Sequence, residues 1–199
     1  MRLKKIRMNR RMMESSAIPL FTSLMEALKD FYDHESQLIE FKVSERALTH
    51  KLAEHLQKRF KGYNVDCEYN KIGKNPKRVL SLIEQMKLSG KCNADCDRCT
   101  QNKCVVFPDI IVHRRGVDDN LLVIEAKTGW SRKKQSDDLK KISALTKSDE
   151  FKYKLGISLR FYEDLNSTLN SFKIFCQAQS VKNELIDAGA CDENSVIMP

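Results

Sequence analysis

Nothing in this 199-residue sequence approaches an uninterrupted apolar run of about 18 residues, and mean hydropathy is −0.49, so no membrane-spanning helix is expected. The opening Met1-Arg2-Leu3-Lys4-Lys5-Ile6-Arg7 runs into Met8-Asn9-Arg10-Arg11 rather than an apolar segment. That excludes a secretory-signal reading and leaves a cytoplasmic chain as the expectation. The seven cysteines are an odd number, which argues against a paired extracellular disulfide framework. Internal repeats and low-complexity tracts are absent, and there is a single tryptophan. Acidic residues are the minority, 27 Asp and Glu against 35 Lys and Arg. The resulting net charge of +8 hints at a polyanionic partner. Six of the first eleven residues are basic, and Arg114-Arg115 and Arg132-Lys133-Lys134 form further clusters. With 41% hydrophobic residues, the chain can build a core without disulfides or metal.

The length suits one domain with an insertion or arm. Residues 1–43 read as a mobile basic arm (1–13) and an N-terminal helix. From Ala17 to His34, Leu20, Phe21, Leu24, Met25, Leu28 and Phe31 recur at three and four, with Pro19 in the first turn. A second helix is predicted from Ser44, as N-cap, to Phe60, and residues 63–69 alternate like a strand. Residues 70–104 break the rhythm and read as an insertion, with a basic stretch, a short helix over 79–88 and a cysteine-rich loop. Strands follow at 108–113 and 121–127, then a helix at 135–146. A strand at 153–161 has Tyr153, Leu155, Ile157, Leu159 and Phe161 on one face. Residues 162–199 read as a helical extension and tail. The expected fold class is α/β, more narrowly an α+β mixed sheet flanked by helices.

The chemistry concentrates in Pro108-Asp109-Ile110-Ile111-Val112-His113 and Leu121-Leu122-Val123-Ile124-Glu125-Ala126-Lys127. Strand side chains alternate between faces, so Glu125 and Lys127 leave one surface while Leu122, Ile124 and Ala126 occupy the other. Asp109, opening the preceding strand, can reach Glu125 through a tight connection. Charges within apolar strands are costly without compensation. For either half of the pattern alone, an ion pair at a fraying strand end is sufficient explanation; together they point to a site.

The pattern Pro108-Asp109 … Glu125-Ala126-Lys127 resembles the signature of the PD-(D/E)XK nuclease superfamily, whose restriction-endonuclease-like core is ordered helix, strand, strand, strand, helix, strand. The resemblance covers residues 44–161. It implies that Asp109, Glu125 and the carbonyl of Ala126 hold Mg²⁺ or Mn²⁺, and that Lys127 assists the attacking water and stabilises the transition state. Members often add a glutamate from the first core helix, and Glu45 fits that place. It continues the stripe of Leu48, Leu52 and Leu56, whereas His50 and Glu54 fall on the wetter side. A first-turn carboxylate favoured by the helix dipole is the bland alternative for Glu45. Asp66 and Glu68, His113, Lys140 and Lys141, and Trp130 are weaker candidates, each with an ordinary surface or core explanation.

Cys92, Cys96, Cys99 and Cys104 fall within thirteen residues of a polar loop. Four thiolates so placed can form a structural Zn²⁺ site, the reading favoured by compactness; an iron–sulfur cluster and four reduced thiols are the alternatives. Cys67, Cys176 and Cys191 read as ordinary thiols. The expected activity is therefore a metal-dependent nuclease acting on nucleic acid, DNA favoured over RNA, with no membrane partner. A homodimer or protein partner is compatible with it. The alternatives are a nuclease-fold nucleic-acid-binding or scaffold protein without turnover, and a basic interaction protein whose motif match is accidental.

Overall fold

The computed structural model describes residues 5–9, 15–69, 71–72, 75–76, 107–132, 136–147, 151–176, 179–181, 183–186 and 195–198. Helix α1 (Ala17–His34) buries Leu20, Phe21, Leu24, Leu28 and Phe31 along the stripe its periodicity predicts. A single-turn helix, α2 (Ser36–Glu40), follows. It closes in a paired C-terminal cap, with Lys42 N–H donating to Ile39 O (3.0 Å) and Val43 N–H to Leu38 O (3.1 Å). Lys42 takes the left-handed conformation there (φ 49°), where glycine is usual. Helix α3 (Glu45–Arg59) starts at Ser44, whose Oγ accepts from Ala47 N–H at 3.3 Å. Leu48, Leu52 and Leu56 are fully buried, while His50 and Glu54 face solvent. Arg59 joins α3 to α1 through Glu26 (3.0 Å) and Asp30 (2.5 Å).

The first strand in the chain, β1 (Lys5–Asn9), lies between β10 (Asn183–Ile186) and β11 (Ser195–Met198) in a three-stranded antiparallel sheet. The main sheet has six strands: β2 (Asn64–Cys67), β5 (Ile110–Arg114), β6 (Asp119–Thr128), β7 (Leu155–Phe161), β8 (Lys173–Cys176) and β9 (Gln179–Val181), in that spatial order. Neighbours are antiparallel except β6 and β7, which run parallel and are joined by α4 (Ser136–Lys147). A parallel pair needs such a crossover. A short helix, α5 (Leu165–Asn170), connects β7 to β8, and a two-residue hairpin pairs β3 (Lys71–Ile72) with β4 (Asn75–Pro76).

The two sheet faces have different covers. Ile110, Val112, Leu122, Ile124, Ala126, Ile157 and Leu159 pack in one core with the apolar stripes of α1 and α3. Ile111 and Val123 on the opposite face pack with Ala144, Leu145, Phe151 and Tyr153. Helix α4 lies close because β7 offers Gly156 beneath it. A Cβ there would stand 2.4 Å from Ile142 Cγ2 and 2.8 Å from Thr146 Cγ2.

The α/β class and the mixed sheet flanked by helices agree with expectation. Three local features differ. Lys5–Asn9, expected within a mobile arm, forms a strand: charged and apolar residues alternate there, a period the basic count obscures. Among the described residues after 161, one short helix is followed by strands, because residues 173–176 extend the sheet against β7. Tyr153 does not share a face with Leu155, Ile157, Leu159 and Phe161. Lys152 has φ 45° and the strand begins only at Leu155, so the Tyr153 ring packs on the α4 side. The expected helix at 79–88 and all four clustered cysteines lie outside the described residues. Among the described residues, no helix is long and apolar enough to cross a membrane.

Candidate active site

Pairing between β5 and β6 ends at Ile110 with Ile124, which leaves the next outward-facing amide of β6 without a strand partner. Asp109 supplies one: its Oδ2 accepts from Ala126 N–H at 2.7 Å. The carboxylate thus sits at the strand mouth, fixed by backbone. Glu125 and Lys127 leave β6 on the α4 side, as alternation requires. Both are buried, at 1% and 8% exposure.

Two cation–carboxylate groups fill this mouth. Lys127 Nζ lies 3.3 Å from Glu45 Oε1 and 3.3 Å from Asp138 Oδ2, and donates to the Ala126 carbonyl at 3.0 Å. Lys141 Nζ donates to Glu125 Oε2 at 2.6 Å and to the Phe107 carbonyl at 3.0 Å. Asp138 and Lys141 are three residues apart on α4, on the stripe that buries Ile142 and Leu145. The close approach at Gly156 is what brings that stripe to β6.

Burial dominates the electrostatics. It pushes the Glu125 carboxyl up to about 8; the Lys141 ammonium opposes the rise and the Asp109 charge adds to it. Burial also raises Asp109, partly offset by the Ala126 amide and by Lys141 and Lys127. For Lys127, burial favours the neutral amine, but Asp138, Asp109 and Glu45 outweigh it and hold the ammonium above its usual range. Lys127 is therefore held as the charged ammonium in this arrangement.

The fit to a hard cation rests on Glu125. Its Oε1 is buried without a hydrogen-bond partner among the described residues, beside a second carboxylate that repels it. Such an oxygen is an expensive thing to bury unless something positive completes it. Asp109 and Glu125 suit Mg²⁺, which commonly takes one or two carboxylates and leaves its other positions to water and substrate phosphate. As the side chains stand, no three His, Cys, Asp or Glu among the described residues form a metal-holding group. Glu45 and the Ala126 carbonyl are engaged by Lys127. No protein-family model, curated protein or solved structure matches this chain.

The remaining candidates separate. Asp66 and His113 meet away from the site: His113 Nε2 lies 2.8 Å from Asp66 Oδ2, and Arg115 closes over the same carboxylate. Tyr69 packs on the His113 ring at 4.9 Å. Glu68 leaves the strand (φ 48°) and pairs with Arg46 at 2.9 Å. Lys140 is exposed on α4, and Lys133 and Lys134 lie outside the described residues. Asp138 is not among the sequence candidates, and Lys141 is only a weaker one. A signal for both existed, since they put charges on the otherwise apolar stripe of α4.

Proposed function

We propose that this chain is a metal-dependent nuclease hydrolysing phosphodiester bonds, DNA favoured over RNA. The observation that carries the reading is the meeting of Asp109, Glu125 and Lys127 at one end of β5 and β6, with a buried Glu125 oxygen left for a cation. The order α3, β2, β5, β6, α4, β7 also follows the helix, strand, strand, strand, helix, strand core of the PD-(D/E)XK nucleases that the motif resembles. Asp109 and Glu125 would hold Mg²⁺ or Mn²⁺. The bound ion would supply an activated water and neutralise charge growing on the phosphate.

The chain's own groups then have distinct tasks. Lys127, kept cationic by its acidic neighbours, presents N–H donors toward charge developing in the transition state. Glu45 and Asp138 hold that ammonium in place from α3 and α4. Asp109, tied to Ala126 N–H, keeps a fixed position relative to Glu125. Zn²⁺ held by Cys92, Cys96, Cys99 and Cys104 completes the proposal as a structural ion.

A second reading has one observation behind it. Lys141 already delivers a positive charge to Glu125 at 2.6 Å, which a nuclease-like fold without turnover would retain. The deciding experiment compares wild type with Lys127→Ala on labelled single-stranded DNA, duplex DNA and RNA, with Mg²⁺ or Mn²⁺. Metal-dependent cleavage by wild type, lost in a folded Lys127→Ala protein, supports the nuclease. Binding without cleavage by either protein favours the second reading. Equal cleavage by both refutes the assignment of Lys127.

A further inference from the structure

Just past the strand that carries Glu125 and Lys127, β6 ends in a turn that opens a cavity of about 280 Å³. Its walls include Lys42, Gly129, Trp130, Tyr162, Glu163 and Asp164. The Trp130 and Tyr162 side chains lie partly open to solvent, at 36% and 37% exposure. Two short chain segments connect it to the candidate active site. Trp130 is three residues beyond Lys127, and Lys42 is three residues before Glu45, the partner of Lys127. It also lies at the C-terminal ends of the parallel strands β6 and β7, where open α/β sheets commonly bind ligands.

Hydrogen bonds tie the backbone of the walls in place. Arg160 Nη1 donates to the carbonyls of Thr128 (3.0 Å) and Ser131 (2.9 Å), clamping the turn that carries Trp130. Tyr162 N–H donates to Thr168 Oγ1 at 2.8 Å, and its carbonyl accepts from Tyr32 OH at 2.9 Å. Gly129 lets the Tyr162 ring rest on the backbone, since a Cβ there would stand 2.8 Å from Tyr162 Cδ1. Lys42 is the unexpected wall. It occupies the left-handed position of a helix cap, where glycine carries no steric penalty. A non-glycine residue kept in a disfavoured conformation at a cavity mouth points to use of its side chain.

We infer that this cavity receives one unpaired nucleobase of a single-stranded nucleic acid whose backbone passes Lys42 toward Lys127. At about 280 Å³ the volume falls just below the usual range for small-molecule sites, about 300 Å³ upward, which suits one ring system rather than a folded chain. Two aromatic walls offer stacking that accepts any base, the usual device for holding single strands. Glu163 and Asp164 keep a phosphate out of the cavity, so the base enters and the phosphate stays on the Lys42 side. The net charge of +8 favours the polyanion as a whole. The inference deepens the nuclease reading and rests on it for the strand's role as substrate: it names unpaired strands as the preferred class.

Trp130 is the sole tryptophan, so its fluorescence reports on the cavity directly, without turnover. Short single-stranded DNA and RNA oligonucleotides, titrated into the full chain with no Mg²⁺ or Mn²⁺ added, should quench it saturably. A blunt hairpin duplex should not. Trp130→Ala, followed by anisotropy of labelled oligonucleotide, should weaken single-strand affinity about tenfold, the scale of losing one base–aromatic stack. Lys42→Gly should weaken it too while raising Tm by about 2–4 °C, because the cap strain is relieved. Absence of quenching, or equal response to duplex and single strand, overturns the inference. So does unchanged affinity in a folded Trp130→Ala protein. The nuclease reading is judged separately: quenching without metal-dependent cleavage keeps the base site and discards catalysis, whereas cleavage lost in Lys127→Ala with no quenching does the reverse.

Discussion

Replacing Glu125 by glutamine should stabilise the folded chain while removing cleavage. Glu125 is 1% exposed, and its carboxyl is pushed up to about 8 by burial, against an ordinary value of 4.5. A carboxyl that holds its proton more tightly when folded loses stability as pH rises, from the unfolded value up to the folded one. Across that interval the ionised form disfavours folding by about 4 kcal/mol at pH 8, but by less than about 1 kcal/mol at pH 5. Glutamine carries no such charge and keeps a carbonyl oxygen for Lys141, giving up about 1 kcal/mol of charge assistance. Glu125→Gln should therefore be close to wild type at pH 5 and about 3 kcal/mol more stable at pH 8. In urea, with no Mg²⁺ or Mn²⁺ added, that is a rise in midpoint of about 1 M or more. Measuring both proteins from pH 5 to 9 cancels the titrations common to the two and leaves those of Glu125 and the groups beside it. A variant less stable than wild type at pH 8, or a difference independent of pH, would refute the burial argument.

Other perturbations test other joints. Gly156→Ala drives a methyl into Ile142 and Thr146, so it should destabilise by about 1–3 kcal/mol and weaken cleavage by displacing α4; thermal melts and single-turnover rates check both. Removing the Ser44 cap with Ser44→Ala should cost about 1 kcal/mol in urea unfolding, and activity should survive if the protein remains folded. Asp66→Asn deprives His113 and Arg115 of their shared carboxylate and should cost about 2 kcal/mol near pH 7. Arg115 and His113 outweigh burial and hold Asp66 below the usual carboxylate range, so its contribution should fade as wild type is acidified below the unfolded value. Elemental analysis should find about one zinc per chain; iron, or no metal in protein purified without chelators, contradicts the four-thiolate site.

Much of the framework is legible in the sequence because the relevant signals are local. The stripe from Leu20 to Phe31, the Ser44 cap and the alternation around Ile124 each need only neighbouring residues to be read. The face shared by Glu125 and Lys127 follows from the same period. What escapes is set by contacts distant in sequence. Lys141 meets Glu125 only because α4 crosses above Gly156, and a helix beginning Ser136-Asp137-Asp138 reads as a solvated surface without that crossing. Tyr153 escapes for a different reason: a left-handed residue at Lys152 interrupts a period that otherwise looks continuous. The Trp130 cavity was invisible because its second aromatic wall, Tyr162, comes from another strand end.

The carboxylate–lysine cluster draws on α3, the entry to β5, β6 and α4, and its contact between Glu45 and Lys127 spans 82 positions. Residues 109–127 carry Asp109, Glu125 and Lys127, but the partners that fix them, Glu45, Asp138 and Lys141, all come from outside that segment. During synthesis the ammonium of Lys127 lacks its α4 partner until Asp138 has emerged and α4 has docked on the sheet. Closing loops of that length is also a slow, late event in folding. A growing or half-folded chain thus has the charges of the site but not their arrangement. If the site does cut nucleic acid, the topology itself delays that capacity until the domain is assembled.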